Sequence, residues 1–106
     1  MAEIGVWEDA EPGIRRRILQ AQGGLMLMEV RFAAGAAGYE HNHVHEQISY
    51  CTAGRFEYSL DGRTVMLSEG ESVYVPSNAR HGAKAVEAGT LIDVFTPVRE
   101  DLLGPR

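Results

Sequence analysis

What most limits the fold of this chain is the scale of its hydrophobic patterning. Short runs of alternating apolar and polar residues are each cut by glycine, and no window of eleven or more residues keeps a helical period. That pattern predicts an all-β sandwich or barrel. Residues 14–20 read as a strand ended by Ala21, Gln22, Gly23 and Gly24. Residues 25–32 follow, with Met26, Met28, Val30 and Phe32 on one face and Leu25, Leu27, Glu29 and Arg31 on the other. After a small-residue loop over 33–38, residues 47–53 form a strand that Gly54 ends. Residues 55–60 and 63–67 flank Asp61-Gly62, a two-residue spacing that favours a type I′ hairpin turn. A turn over 68–71 leads to a short strand over 72–75, stopped by Pro76. Strands over 83–86 and 90–95 are split by Glu87, Ala88 and Gly89, and the tail leaves through Pro97. The cluster Arg15, Arg16 and Arg17 reads as a solvated strand surface.

At 106 residues the chain fits one compact domain spanning 1–106, with a core over about 14–96, a short N-terminal arm and a C-terminal tail. A domain of this size buries only about two-thirds of its unfolded surface, so a homo-oligomer is expected. Ten Lys and Arg against fifteen Asp and Glu give a net charge of −5, which argues against nucleic acid as a partner. The first residues lack the pattern of a secretory signal, and no stretch approaches the roughly 18 apolar residues of a membrane span. A cytoplasmic protein with no membrane partner is expected. The single cysteine, Cys51, excludes an internal disulfide and reads as a buried, inert thiol.

Three of the four histidines alternate in Glu40-His41-Asn42-His43-Val44-His45-Glu46-Gln47. In extended backbone alternate side chains project to the same side, so His41 and His43 can aim two imidazoles at one point. Neutral imidazole suits zinc, copper, iron and nickel. His81 lies far along the chain, where a ligand from a second strand would. The same cluster also reads as a histidine-rich surface loop, or as core histidines bonded to backbone.

At these residues the chain resembles the cupins. The first cupin motif, GxxxxxHxHxxxExxxxxxG, fits Gly35, His41, His43, Gln47 and Gly54 with every spacing kept, and the second, GxxxxxPxxxxHxxxN, falls on Gly70, Pro76 and His81. Gln47 stands where the family usually has glutamate, and Ala85 where it often has asparagine. The resemblance implies a single-domain jelly-roll barrel, or double-stranded β-helix, in which His41, His43, Gln47 and His81 hold a divalent transition metal: nickel, zinc, manganese or iron. Cupins of this size are commonly homodimers. His45 falls behind the ligands or on the surface. Glutamine in place of glutamate leaves the metal with its full positive charge, suited to an anionic oxygen ligand.

In Leu91-Ile92-Asp93-Val94-Phe95 an aspartate shares its face with Leu91 and Phe95. Facing inward, Asp93 is a partly desolvated carboxylate placed for proton transfer. The alternative is an edge-strand acid paired with an arginine such as Arg99, whose fork also suits a carboxylate ligand. The segments HxHVHEQISY, YVPxxxxHG and LIDVFTPxRED narrow the resemblance to the small cupins of pectin and alginate breakdown, from about Trp7 to Leu103. It implies conversion of a small anionic sugar, a 4,5-unsaturated uronic acid monosaccharide, to its linear keto form. In that family an aspartate, a phenylalanine and an arginine complete the site, and Asp93, Phe95 and Arg99 match them. The rival readings are a metal-dependent dioxygenase and a non-catalytic sugar-binding module.

Overall fold

The computed structural model describes residues 3–103. Its strands are β1 (Glu8–Glu11), β2 (Ile14–Gln22), β3 (Leu25–Phe32), β4 (Glu46–Leu60), β5 (Arg63–Ser68), β6 (Ser72–Val75) and β7 (His81–Thr96), followed by a short helix, α1 (Glu100–Leu103). The all-β expectation is met. The strands run antiparallel in the order β1-β2-β3-β7-β4-β5, with β6 also on β4. Asp61 and Gly62 both have positive φ, 48° and 80°, as the type I′ turn between β4 and β5 requires.

Two expected strand breaks are absent. Where Gly54 was to end one strand and Glu87, Ala88 and Gly89 were to divide another, β4 and β7 run through as strands of 15 and 16 residues. The register slips between Cys51 and Phe56, and Gly54 takes a φ of 80° there. A Cβ on Gly54 would lie 2.6 Å from the Gly89 Cα, so the two backbones touch where no side chain fits. These glycines mark a bend in a continuous ladder. Bent there, β4 and β7 each serve two half-sheets. The first half of β4 pairs with β6 and the second half of β7, while its second half pairs with β5 and the first half of β7.

The half-sheets close over one core. Met26, Met28, Val30 and Phe32 are all buried, as their alternation predicts, and Phe32 meets Phe56 edge-on at 5.0 Å between ring centroids. Cys51 is fully buried, and burial raises its thiol pKa, as an inert thiol should behave. On the inward face of β4 and β7, Gln47 stands opposite Phe95 and Ser49 opposite Asp93. That register assembles one wall of the site.

Other departures are local. β1 was not expected, because Glu8-Asp9-Ala10-Glu11 carries almost no apolar signal; it is held at the sheet edge by ion pairs from Glu8 to Arg16 and Asp9 to Arg15. The arginine cluster is not uniformly a solvated surface. Arg15 and Arg17, with Arg31, surround the Trp7 ring at 5.8, 4.7 and 4.6 Å from its centroid. Arg16 instead points inward between the buried Ile14 and Ile18. The tail contains α1, too short to show a period, whose Leu103 is buried. Among the described residues no helix is long and apolar enough to cross a membrane.

Candidate functional site

The histidines reach one point from two directions. His41 and His81 exchange two backbone hydrogen bonds, each 2.9 Å, which fixes the histidine-bearing loop against the start of β7. The loop before β7 is secured in turn, with Asn78 N donating to His43 O at 2.7 Å and Ser77 Oγ to Val44 O at 2.6 Å. The imidazoles of His41, His43 and His81 place their ligand atoms within 4.8 Å of one another.

Their tautomers follow from their partners. Nδ1 of His41 donates to Tyr39 O at 2.8 Å, Nδ1 of His43 to His45 O at 3.1 Å, and Nδ1 of His81 to Ala79 O at 2.9 Å. A carbonyl oxygen only accepts, so for His41 and His81 the proton sits on Nδ1 and Nε2 presents a lone pair, whereas His43 has an acceptor at each ring nitrogen, His45 O at Nδ1 and Gln47 Oε1 at Nε2. Burial, reinforced by the nearby Arg99 charge, lowers His43 to about 4, and burial lowers His81 as well. Both are therefore neutral at pH 7. His81 Nε2 is buried and has no hydrogen-bond partner among the described residues.

Gln47 completes the set. Its Nε2 donates to Ser49 Oγ at 3.0 Å and, more weakly, to the Tyr58 hydroxyl at 3.5 Å, which turns Oε1 toward His43 Nε2, 3.0 Å away. With the His43 proton on Nδ1, Nε2 and Oε1 are two acceptors side by side, an arrangement that a cation between them satisfies. Three imidazole nitrogens and an amide oxygen are a fitting donor set for a divalent transition metal. All four expected ligand residues are together. His45 stands behind them, its ring edge-on to His43 at 5.2 Å and its carbonyl holding the His43 tautomer.

Asp93 lies next to this group and is almost completely buried. It is not an edge-strand acid, because β7 runs between β3 and β4. Its Oδ1 accepts the Ser49 hydroxyl at 2.6 Å, while Ser49 and Tyr58 hydroxyls lie 2.9 Å apart. Burial pushes the carboxyl up to about 6, against the opposing pull of Ser49, Gln47, Arg99 and His41. It can therefore hold or release a proton near neutral pH.

Arg99 does not pair with Asp93 either. Its Nε and Nη2 donate to the two carboxylate oxygens of Asp101 at 3.3 and 2.7 Å, and its guanidinium lies 5.3 Å from the centre of the Phe95 ring. Phe95 in turn meets His43 edge-on at 5.8 Å. With Asp101 along one edge of the guanidinium, the edge formed by Nη1 and Nη2 remains for a ligand. His41, Gln47, His81, Asp93, Phe95 and Arg99 line a single cavity of about 120 Å³. The sequence reading missed Ser49, Tyr58, Asp101 and Arg16 as parts of this site. For Ser49 and Arg16 a signal existed, since at a two-residue period Ser49 shares a face with Gln47 and Arg16 with the apolar Ile14 and Ile18.

Comparison with known proteins bears on the fold and the family. The cupin domain family matches residues 28–95. The chain is 40% identical over 99 residues to the pectin degradation protein KdgF of Dickeya dadantii (strain 3937), covering 92% of this chain and 90% of that one. Among solved structures it is similar to KdgF from Halomonas sp., with a TM-score of 0.87 and 41% identity over 92% of this chain and 90% of that one. It is also similar to an RmlC-like cupin from Shewanella frigidimarina NCIMB 400, with a TM-score of 0.88 and 38% identity over 95% of this chain and 94% of the other.

Proposed function

The chain belongs to the cupin family, and from that premise we propose that it is a pectin-degradation enzyme that opens the ring of 4,5-unsaturated uronic acid monosaccharides to the linear keto form. The observation that carries this reading is the buried Asp93 beside a charge-neutral donor set, in the same cavity as the open edge of Arg99. The substrate is a cyclic enol ether bearing a carboxylate, and its opening is an isomerisation. A proton leaves the anomeric hydroxyl, the bond from the anomeric carbon to the ring oxygen breaks to give an aldehyde, and the ring oxygen is left as an enolate. A proton delivered to C4 converts the enolate to the ketone, so no atom is gained or lost.

Each residue then has a task. Arg99 takes the substrate carboxylate on its Nη1 and Nη2 edge, braced by Asp101. Asp93 moves the proton at C4, and Ser49 keeps its carboxyl aimed. Phe95 forms the wall between Arg99 and His43 and excludes water from that side. Nε2 of His41, His43 and His81 and Oε1 of Gln47 would hold a divalent nickel, zinc, manganese or iron ion, which when bound supplies a positive charge that polarises and orients a substrate oxygen.

The remaining features follow the same reading. The protein acts as one cupin domain in the cytoplasm, on a small anionic sugar, without nucleic acid. It works as a homodimer. Leu27, Val94, Ile48 and Tyr74 form a continuous apolar row across the outer face of β3, β7, β4 and β6, with Ile48 and Tyr74 46% and 51% exposed. A monomeric mass by equilibrium sedimentation would remove the dimer.

The decisive experiment incubates metal-quantified protein with a 4,5-unsaturated monouronate and follows loss of the ultraviolet-absorbing double bond against the spontaneous rate. Metal-dependent acceleration is expected. Equal rates with and without metal-loaded protein would sink the proposed reaction.

A further inference from the structure

One basic group on the cavity wall has no part in the reaction above. Arg16 lies on the inward face of β2 between Ile14 and Ile18 and opposite the buried Val30 of β3. It lines the same cavity as His41, Gln47, His81, Asp93 and Arg99, with 29% of its side chain exposed. Desolvating a guanidinium is costly unless it is paired, and Glu8, directly across the β1–β2 ladder, accepts from Nε at 2.9 Å. The two Nη groups have no acceptor among the described residues. Arg99 is held in a related way, by the carboxylate of Asp101. The cavity therefore carries two arginines, each fixed by one carboxylate and each with Nη donors left over.

Their positions differ. The register runs Arg16 to Val30 to Leu91, so Arg16 stands two strands from β7 and one inward position along from Asp93. By strand geometry that separates the two Cα atoms by about 10 Å across the sheet and about 7 Å along it. Arg16 thus meets a different part of any ligand seated against the histidines and Arg99. We infer that Arg16 is a second substrate-binding residue, whose free Nη donors take hydroxyl oxygens on the edge of the sugar remote from the carboxylate. This rests on the ring-opening reading for the identity of the sugar. Two donors facing acceptor-rich oxygens make the site selective for a polyhydroxylated acid over a simple carboxylate.

Variants Arg16→Gln and Arg16→Lys test the inference, with metal content and melting temperature measured in parallel. For the unsaturated monouronate, KM rises about tenfold in Arg16→Gln while kcat stays within about twofold, the signature of lost uniform binding. Arg16→Lys, which keeps the charge and loses the fork, falls between. A KM within about twofold of wild type in a metal-replete, folded Arg16→Gln protein overturns the assignment, as does a loss confined to kcat. Should the wild-type protein fail to turn the substrate over, the reaction is wrong and Arg16 is read by calorimetry with a saturated uronate, galacturonate. About tenfold weaker binding to Arg16→Gln then supports its role. Equal binding, or no binding by the wild type, overturns it.

Discussion

On the wall built from β4 and β7, the polar side chains Gln47, Ser49, Tyr58 and Asp93 are buried and bonded to one another, whereas a second group, Arg16 on β2 and Arg99 beyond the end of β7, has a single carboxylate partner for each arginine and remains partly exposed. The first wall is closed and intolerant of deletion, because removing any member leaves another buried group unsatisfied. The second is charged and open, and each arginine can be altered without orphaning a buried neighbour. The difference separates two tasks: the closed wall fixes the reacting centre and the open one selects what sits against it.

The contrast breaks most visibly at the donor set. His81→Ala removes a buried donor with an otherwise unpartnered Nε2, and elemental analysis should show metal lost while turnover falls to the spontaneous rate. Asp93→Asn should cost about 10² to 10⁴ in kcat with metal retained; unchanged turnover in the ultraviolet assay would take Asp93 out of the mechanism. The same variant carries a pH signature in metal-free protein. Burial raises Asp93 from 3.8 to about 6, so its contribution to stability is fully present below the unfolded value and is lost as pH rises through about 6. Between pH 4 and 7 the wild type should therefore lose about 2 kcal/mol relative to Asp93→Asn in paired urea titrations. Parallel curves would place the carboxyl in a more polar setting.

Smaller effects sharpen the comparison. Ser49→Ala leaves Asp93, Gln47 and Tyr58 each short of a partner and should destabilise by about 1–3 kcal/mol, with both the melting temperature and kcat reduced. Asp101→Asn weakens one anchor of an exposed pair, so stability should change by less than about 1 kcal/mol while KM rises several-fold. A large loss of stability in Asp101→Asn, or none in Ser49→Ala, would erase the distinction between the walls.

Much of this was legible in the sequence where a local rule had no competitor. The Asp61-Gly62 turn follows from backbone sterics alone, and the alternation of His41 and His43 points two imidazoles the same way, while the resemblance to the cupins added Gln47 and His81 to them. Asp93 could be placed indoors because its neighbours at a two-residue period are apolar. Elsewhere tertiary context decided. Gly54 and Gly89 read as strand ends, since a sequence does not reveal that two glycines will meet across a ladder. Arg16 was hidden by its neighbours, because three consecutive arginines look like one surface when in a strand they must point to alternate sides. β1 depends on charge pairing with β2, and α1 is a single turn; neither leaves a hydrophobic period.

The pairing of Gln47 with Phe95 and Ser49 with Asp93 has a further consequence. A slip of β4 by one residue would turn Ile48 and Tyr50 into the cavity and put Gln47 and Ser49 outside. Folding and chemistry are thus written in the same four positions, and a misthreaded chain is also a chain without a site. Metal uptake becomes a proofreading signal: a protein that has loaded its ion has already aligned its two longest strands.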